Sequence, residues 1–85
     1  MSDLESRFAQ AQRDANALAK RPDDNTMLKL YALYKQATQG DAAGERPGGF
    51  DFVRRAKFDA WSAVKGMSAK DSMQQYIDLV DSLRG

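Results

Sequence analysis

Leu4, Phe8, Ala11, Ala15 and Leu18 recur at steps of three and four, so one apolar stripe predicts an amphipathic helix at the start of the chain. Pro22 biases Arg21 away from helical geometry, and the stretch Lys20-Arg21-Pro22-Asp23-Asp24 ends that pattern. Asp24 or Asn25 is then placed to cap a second helix carrying Met27, Leu28, Leu30, Tyr31, Leu33, Tyr34 and Ala37, which Gly40-Asp41 closes. The stretch from Asp41 to Gly49 reads as a loop throughout. It is long for a link between helices of a bundle, where about two to eight residues are usual, so a simple up-down-up-down order is not assured. Asp51 is the expected cap of a third helix, through Phe52, Ala56, Phe58, Ala60, Trp61 and Val64 to Lys65-Gly66. Ser68 opens a fourth, with Asp71 three residues on in a capping-box-like arrangement and Met73, Tyr76, Ile77, Val80 and Leu83 as its stripe. Helices of this length are marginal alone, so the four stripes must pack on one another. The expectation is a single all-α domain over residues 1–85, with no internal repeat.

Composition changes this picture mainly by exclusion. Charged residues are 29% and hydrophobic ones 42% of the 85, an ordinary globular balance. A net charge of +1 is too small to imply a nucleic-acid partner from bulk charge, so any basic site must be a local cluster. There is no cysteine and no histidine, which removes disulfides, thiol chemistry and the usual transition-metal ligands. No apolar run approaches the roughly 18 residues of a membrane span, and the acidic, polar opening Met1–Glu5 does not read as a signal peptide. A soluble protein of a reducing compartment, the cytoplasm, is the default expectation.

Two clusters carry candidate chemistry. Tyr31, Tyr34 and Lys35 stand at i, i+3 and i+4 and share one helical face. An aromatic face stacks on a flat base, a tyrosine hydroxyl donates to phosphate, and lysine adds a point charge, so a phosphorylated nucleotide would satisfy all three. On the third helix, Arg54, Lys57 and Trp61 follow i, i+3, i+7 spacing, while Arg55 is rotated away and reads as solvated. Each has a plainer reading: tyrosines half-buried in a core with wet tips, Lys35 an ordinary surface lysine, Arg54–Lys57 a solvated face, and Phe58 with Trp61 core.

The residues themselves resemble a known family. Leu30-Tyr31-Ala32-Leu33-Tyr34-Lys35-Gln36-Ala37-Thr38-Gln39-Gly40-Asp41 is similar to the LYxLYKQATxGD signature of acyl-CoA-binding proteins, the diazepam-binding-inhibitor-like small carriers. Arg46-Pro47-Gly48-Gly49-Phe50-Asp51-Phe52 and Ala56-Lys57-Phe58-Asp59-Ala60-Trp61 resemble that family's RPGxxDFxxxAKWDAW, and Val64-Lys65-Gly66-Met67-Ser68 and Tyr76-Ile77 continue in register. The resemblance implies a four-helix bundle of up-down-down-up type, with the long loop crossing between helices 2 and 3. It also implies binding, buffering and transport of medium- to long-chain acyl-CoA without catalysis. Acyl-CoA is then a carried ligand and no cofactor is expected; the partners implied are enzymes that produce or consume it. A monomer with no nucleic-acid partner and no stable membrane insertion completes the expectation. Carried over by residue, Tyr31 and Tyr34 meet the 3′-phosphate and adenine, Lys35 and Lys57 meet phosphates, Tyr76 lines the pocket, and the acyl chain lies in an apolar groove.

Two departures bear on the head-group site. Val53 stands where the family commonly has lysine, and Asn16 aligns with a lysine late in the first helix. Arg54, and Arg13 one turn before Asn16, are candidates to restore the lost charge. Phe58 replaces the family's tryptophan but stays aromatic. The rival readings are a helical protein-interaction module without acyl-CoA affinity and an enzyme acting on CoA esters. Hydrolysis would need an activated nucleophile or general base, and Ser62, Ser68, Ser72 and Ser82 lack an evident base partner.

Overall fold

Four helices form where the apolar stripes run: α1 (Asp3–Asn16), α2 (Asp24–Gln39), α3 (Phe52–Ser62) and α4 (Ala69–Arg84). The computed structural model describes residues 3–84, so Met1 and Ser2 of the polar opening, and Gly85, lie outside the described residues. No strand occurs among the described residues.

Helix ends follow local chemistry. The cap of α2 is Asp23, one residue before the expected Asp24 or Asn25, because Asp23 holds an extended backbone after Pro22 and its carboxylate accepts the Thr26 N–H at 2.8 Å. Asp24 instead sits in the first turn, where its charge favours the helix N-terminus. Asp51 caps α3 as expected, accepting from the Arg54 N–H at 3.2 Å, and the Ser68 hydroxyl accepts the Asp71 N–H at 3.0 Å. Two helices stop sooner than their stripes. α1 ends at Asn16, where Ala17 N–H turns back to the Asp14 carbonyl, and Leu18 lies half-buried beyond it. α3 ends at Ser62, followed by tight turns, and Val64 reaches the core from outside the helix.

The cross-links between helices read out their directions. Gln36 near the end of α2 donates to the Met67 carbonyl just ahead of α4 (3.0 Å), so those two helices run oppositely. Trp61 near the end of α3 donates its indole N–H to the Gly40 carbonyl at the end of α2 (2.8 Å), so α2 and α3 run together. Arg84 pairs with Asp14 at 3.4 Å, joining the last turns of α4 and α1, which are also parallel. The result is up-down-down-up, with α2 packed on both α3 and α4 and α1 packed on α4. The long loop makes the parallel α2–α3 pair possible, since a short link would force antiparallel neighbours.

The core lies on one side of α2. Phe8 and Ala11 of α1, Leu30 and Leu33 of α2, and Tyr76, Ile77 and Val80 of α4 are buried together. None of α3's residues is buried. Its connections are instead anchored by polar bonds. The Asp41 carboxylate accepts the Gly66 N–H and the Gln36 amide, both at 2.8 Å, and the Arg46 guanidinium forks onto Asp59 at 2.8 and 2.7 Å. Gly40, the closing residue of α2, takes φ 80°, a conformation that a side chain would strain.

Candidate functional site

The parallel run of α2 and α3 sets Tyr31 opposite Lys57 and Trp61. Between them opens a cleft of about 230 Å³, walled by Tyr31 on α2, by Arg54, Lys57, Phe58 and Trp61 on α3, and by Glu45 and Pro47 of the long loop. The Lys57 ammonium stands 5.3 Å from the Tyr31 ring centroid. The Lys35 ammonium, one helical turn along α2, stands 6.0 Å from the same ring and 5.2 Å from the Trp61 ring. These are cation–π distances, at which ring faces and ammonium groups attract. Neither lysine forms an ion pair among the described residues, so two ammonium groups flank one tyrosine without a carboxylate to neutralise them. Glu45 on the loop side is the one acidic residue in the cleft wall.

Of the expected site residues, the fold brings Tyr31, Arg54 and Lys57 into the cleft wall, with Lys35 beside Tyr31 and Trp61. Tyr34 and Tyr76 are grouped elsewhere, around Phe8 of α1. The Tyr34 ring stacks on Phe8 at 6.2 Å while staying 40% exposed, and Tyr76 meets Phe8 edge-on at 5.1 Å with only 7% of its surface open. Burial pushes the Tyr76 phenol up from its ordinary value, and the neighbouring Tyr34 adds to the shift, so the hydroxyl stays protonated and available as a donor at neutral pH. Asn16 and Arg13 are exposed on α1, outside the cleft wall, and Arg13 donates to Gln10 at 2.7 Å.

The third helix departs most from its plainer readings. Phe58 and Trp61 do not join the core; both are half-buried and form the wall of the cleft. Spacing already set Trp61 in line with Arg54 and Lys57, and the indole N–H then needs an acceptor, which the end of α2 supplies. Arg55 is half-buried rather than solvated, with its Nε enclosed and unpartnered. The Arg46 fork, and to a smaller extent the Arg55 charge, hold the Asp59 carboxyl below the usual range. Glu45 and Pro47 were not anticipated at the site, because nothing in a loop's composition shows where it folds back.

No group of three or more histidine, cysteine, aspartate or glutamate residues among the described residues is placed to hold a metal ion. Residues 5–80 match the family model described as Acyl CoA binding protein. The chain belongs to the acyl-CoA-binding protein family. A homologue of acyl-CoA-binding protein from Manduca sexta is 46% identical over 81 residues, covering 94% of this chain and 90% of that protein. Enoyl-CoA delta isomerase 2 of Rattus norvegicus is also 46% identical, over 76 residues, which are 89% of this chain and 19% of the isomerase. This chain therefore spans under a fifth of that relative's length. The crystal structure of acyl-CoA-binding protein 2 of Oryza sativa superimposes with a TM-score of 0.89 at 40% identity, covering 94% of this chain and 89% of that one. Membership and superposition agree with the observed four-helix fold.

Proposed function

We propose that this chain, as a single domain over residues 1–85, is a non-enzymatic carrier that binds medium- to long-chain acyl-CoA one to one as a monomer and buffers it in the cytoplasm. The observation that carries the reading is the pair of ammonium groups, Lys35 and Lys57, close to the Tyr31 ring and without an ion pair among the described residues. A nucleotide with several phosphates matches that array: the ring offers a stacking face for adenine, and the ammonium groups and Arg54 offer charge-assisted bonds to phosphate oxygens. Tyr34 of α2 and Tyr76 of α4, both beside Phe8 of α1, serve as hydroxyl donors. Asn16 and Arg13 would act only on a ligand extending past the cleft toward α1.

A carrier rather than an enzyme is supported by three of the four serine hydroxyls considered, Ser68, Ser72 and Ser82. Ser72 and Ser82 donate to backbone carbonyls and Ser68 accepts a backbone N–H, so each serves helix geometry rather than a general base. Enzymes that make or use acyl-CoA are the partners this reading implies.

Titration calorimetry with palmitoyl-CoA, acetyl-CoA and free CoA tests the proposal. Each buried methylene contributes about 0.8 kcal/mol, so two more carbons should tighten binding by about tenfold while the chain remains sheltered. Equal affinity for acetyl- and palmitoyl-CoA, or no binding of either, would overturn it and favour a protein-interaction module.

A further inference from the structure

We propose that Glu45 is a specificity residue of the cleft between α2 and α3, its carboxylate accepting a hydrogen bond from the exocyclic amino group of the ligand's adenine. The inference rests on the acyl-CoA reading and deepens it. Glu45 shares the cleft wall with the rings of Tyr31, Phe58 and Trp61 and with the cations Arg54 and Lys57. A carboxylate there opposes phosphate binding, since like charges repel. Nor does it neutralise the cations. Glu45 forms no ion pair among the described residues, and Arg54 pairs instead with Asp51 at 3.6 Å. Four carboxylates stand between residues 40 and 62, and the other three have structural partners. Asp41 accepts the Gly66 N–H and the Gln36 amide, Asp51 caps α3, and Asp59 holds Arg46. Of these four described residues, Glu45 alone keeps both side-chain oxygens open to a ligand.

The loop holds this carboxylate in place. Ala43, Glu45 and Pro47, alternate residues of the loop, all line the cleft, and Arg46 among them forks onto Asp59 of α3 at 2.8 and 2.7 Å. That bidentate bond fixes the segment beside the helix that carries Lys57 and Trp61. A carboxylate accepts hydrogen bonds, so it selects a donor edge in whatever enters the cleft. In a CoA ester the part that lies flat against rings is the base, and adenine carries an amino group on its edge where guanine carries a carbonyl oxygen. The ligand's other donors, its hydroxyls and amide N–H groups, belong to non-planar parts that rings do not stack. Lys35, Lys57 and Arg54 thus draw the phosphates, the rings hold the purine, and Glu45 reads which purine it is. A purine with oxygen in place of the amino group would set an acceptor against the carboxylate and leave both unpaired, which is how a polar site rejects an analogue. One acidic residue among basic and aromatic ones gives up some phosphate affinity in return for a choice of base.

Titration calorimetry with palmitoyl-CoA, and with its analogue carrying unsubstituted purine in place of adenine, tests the proposal, because the two ligands differ only in the amino group. The parent should bind the adenine ligand about tenfold more tightly, the lower end for a hydrogen bond to a charged acceptor, since Glu45 is exposed. Glu45→Ala should bind the two ligands within about twofold of each other. Glu45→Gln keeps an acceptor oxygen and should retain part of the preference. The side chain is exposed, so the circular dichroism of both variants should match the parent. A role through charge alone gives a different result: Glu45→Ala then tightens both ligands by the same factor and the preference stays, which would overturn the proposal. Equal binding of the two ligands by the parent would overturn it as well, while leaving the acyl-CoA reading intact. Failure of the parent to bind palmitoyl-CoA would sink both.

Discussion

Leu33 and Lys35 stand two residues apart on α2 and face different worlds. Leu33 has none of its surface exposed and is held between apolar side chains of α1 and α4. Lys35 lies near the rings of Trp61 on α3 and Tyr31 on α2 and has no ion pair among the described residues. The α4 side of the helix concentrates burial and so holds the fold. The α3 side contributes no fully buried residue of its own and leaves charge and aromatic surface unspent. One helix thus divides stability from recognition by orientation alone, because successive residues are rotated by about 100° around its axis.

That division is open to direct attack. The largest effect on folding should come from Leu33→Ala, which removes a fully enclosed side chain and should destabilise by about 2–5 kcal/mol in urea unfolding. On the other face, K35A/K57A should weaken palmitoyl-CoA binding by about a hundredfold, as expected for two charge-assisted contacts, while the urea midpoint moves little. A large drop in stability from that pair, or a binding loss without unfolding from Leu33→Ala, would break the comparison. Ser68→Ala removes the hydroxyl that accepts the Asp71 N–H and should cost about 1 kcal/mol by the same unfolding assay, with ligand affinity retained.

The smallest effect concerns pH. The Gly66 N–H, and after it the Gln36 amide, hold the Asp41 carboxyl below its ordinary value. The folded chain therefore binds that proton more weakly than the unfolded chain. The stabilisation is complete above the unfolded value of about 3.9 and declines as pH falls through the lower folded value. Asp23 and Asp59 are lowered as well and act in the same direction. Unfolding curves recorded through this acid range should show stability falling, and Asp41→Asn should flatten part of the slope.

Much of the fold was legible because periodicity and caps are local. Asp51 and Ser68 were readable as caps, and the stripe of α4 emerges as Tyr76, Ile77 and Val80 in the core. The exceptions have local causes too. Asp23, Asp24 and Asn25 can all cap, and spacing does not choose among them; the extended backbone after Pro22 does. Leu18 continues the rhythm of α1 although the helix has ended, because a residue past the last turn can still reach an apolar neighbour, and it lines a surface cavity with Leu83. Gln36 was not anticipated inside, yet it is 2% exposed; its amide nitrogen donates to the Met67 carbonyl and to Asp41, while its side-chain oxygen is enclosed without a partner.

The site divides in the same way. That Tyr31 and Lys35 share a face is a property of helical spacing, and so is the alignment of Arg54, Lys57 and Trp61. The sequence by itself determined these two half-sites, the four helices and the family signature they carry. That Lys57 stands over Tyr31, that Tyr34 and Tyr76 gather instead around Phe8, and that Arg55 is half-buried were decided only by the tertiary structure. The reason is geometric: spacing sets which side of a helix a residue occupies, but the crossing of two parallel helices joined by a long loop sets what that side meets.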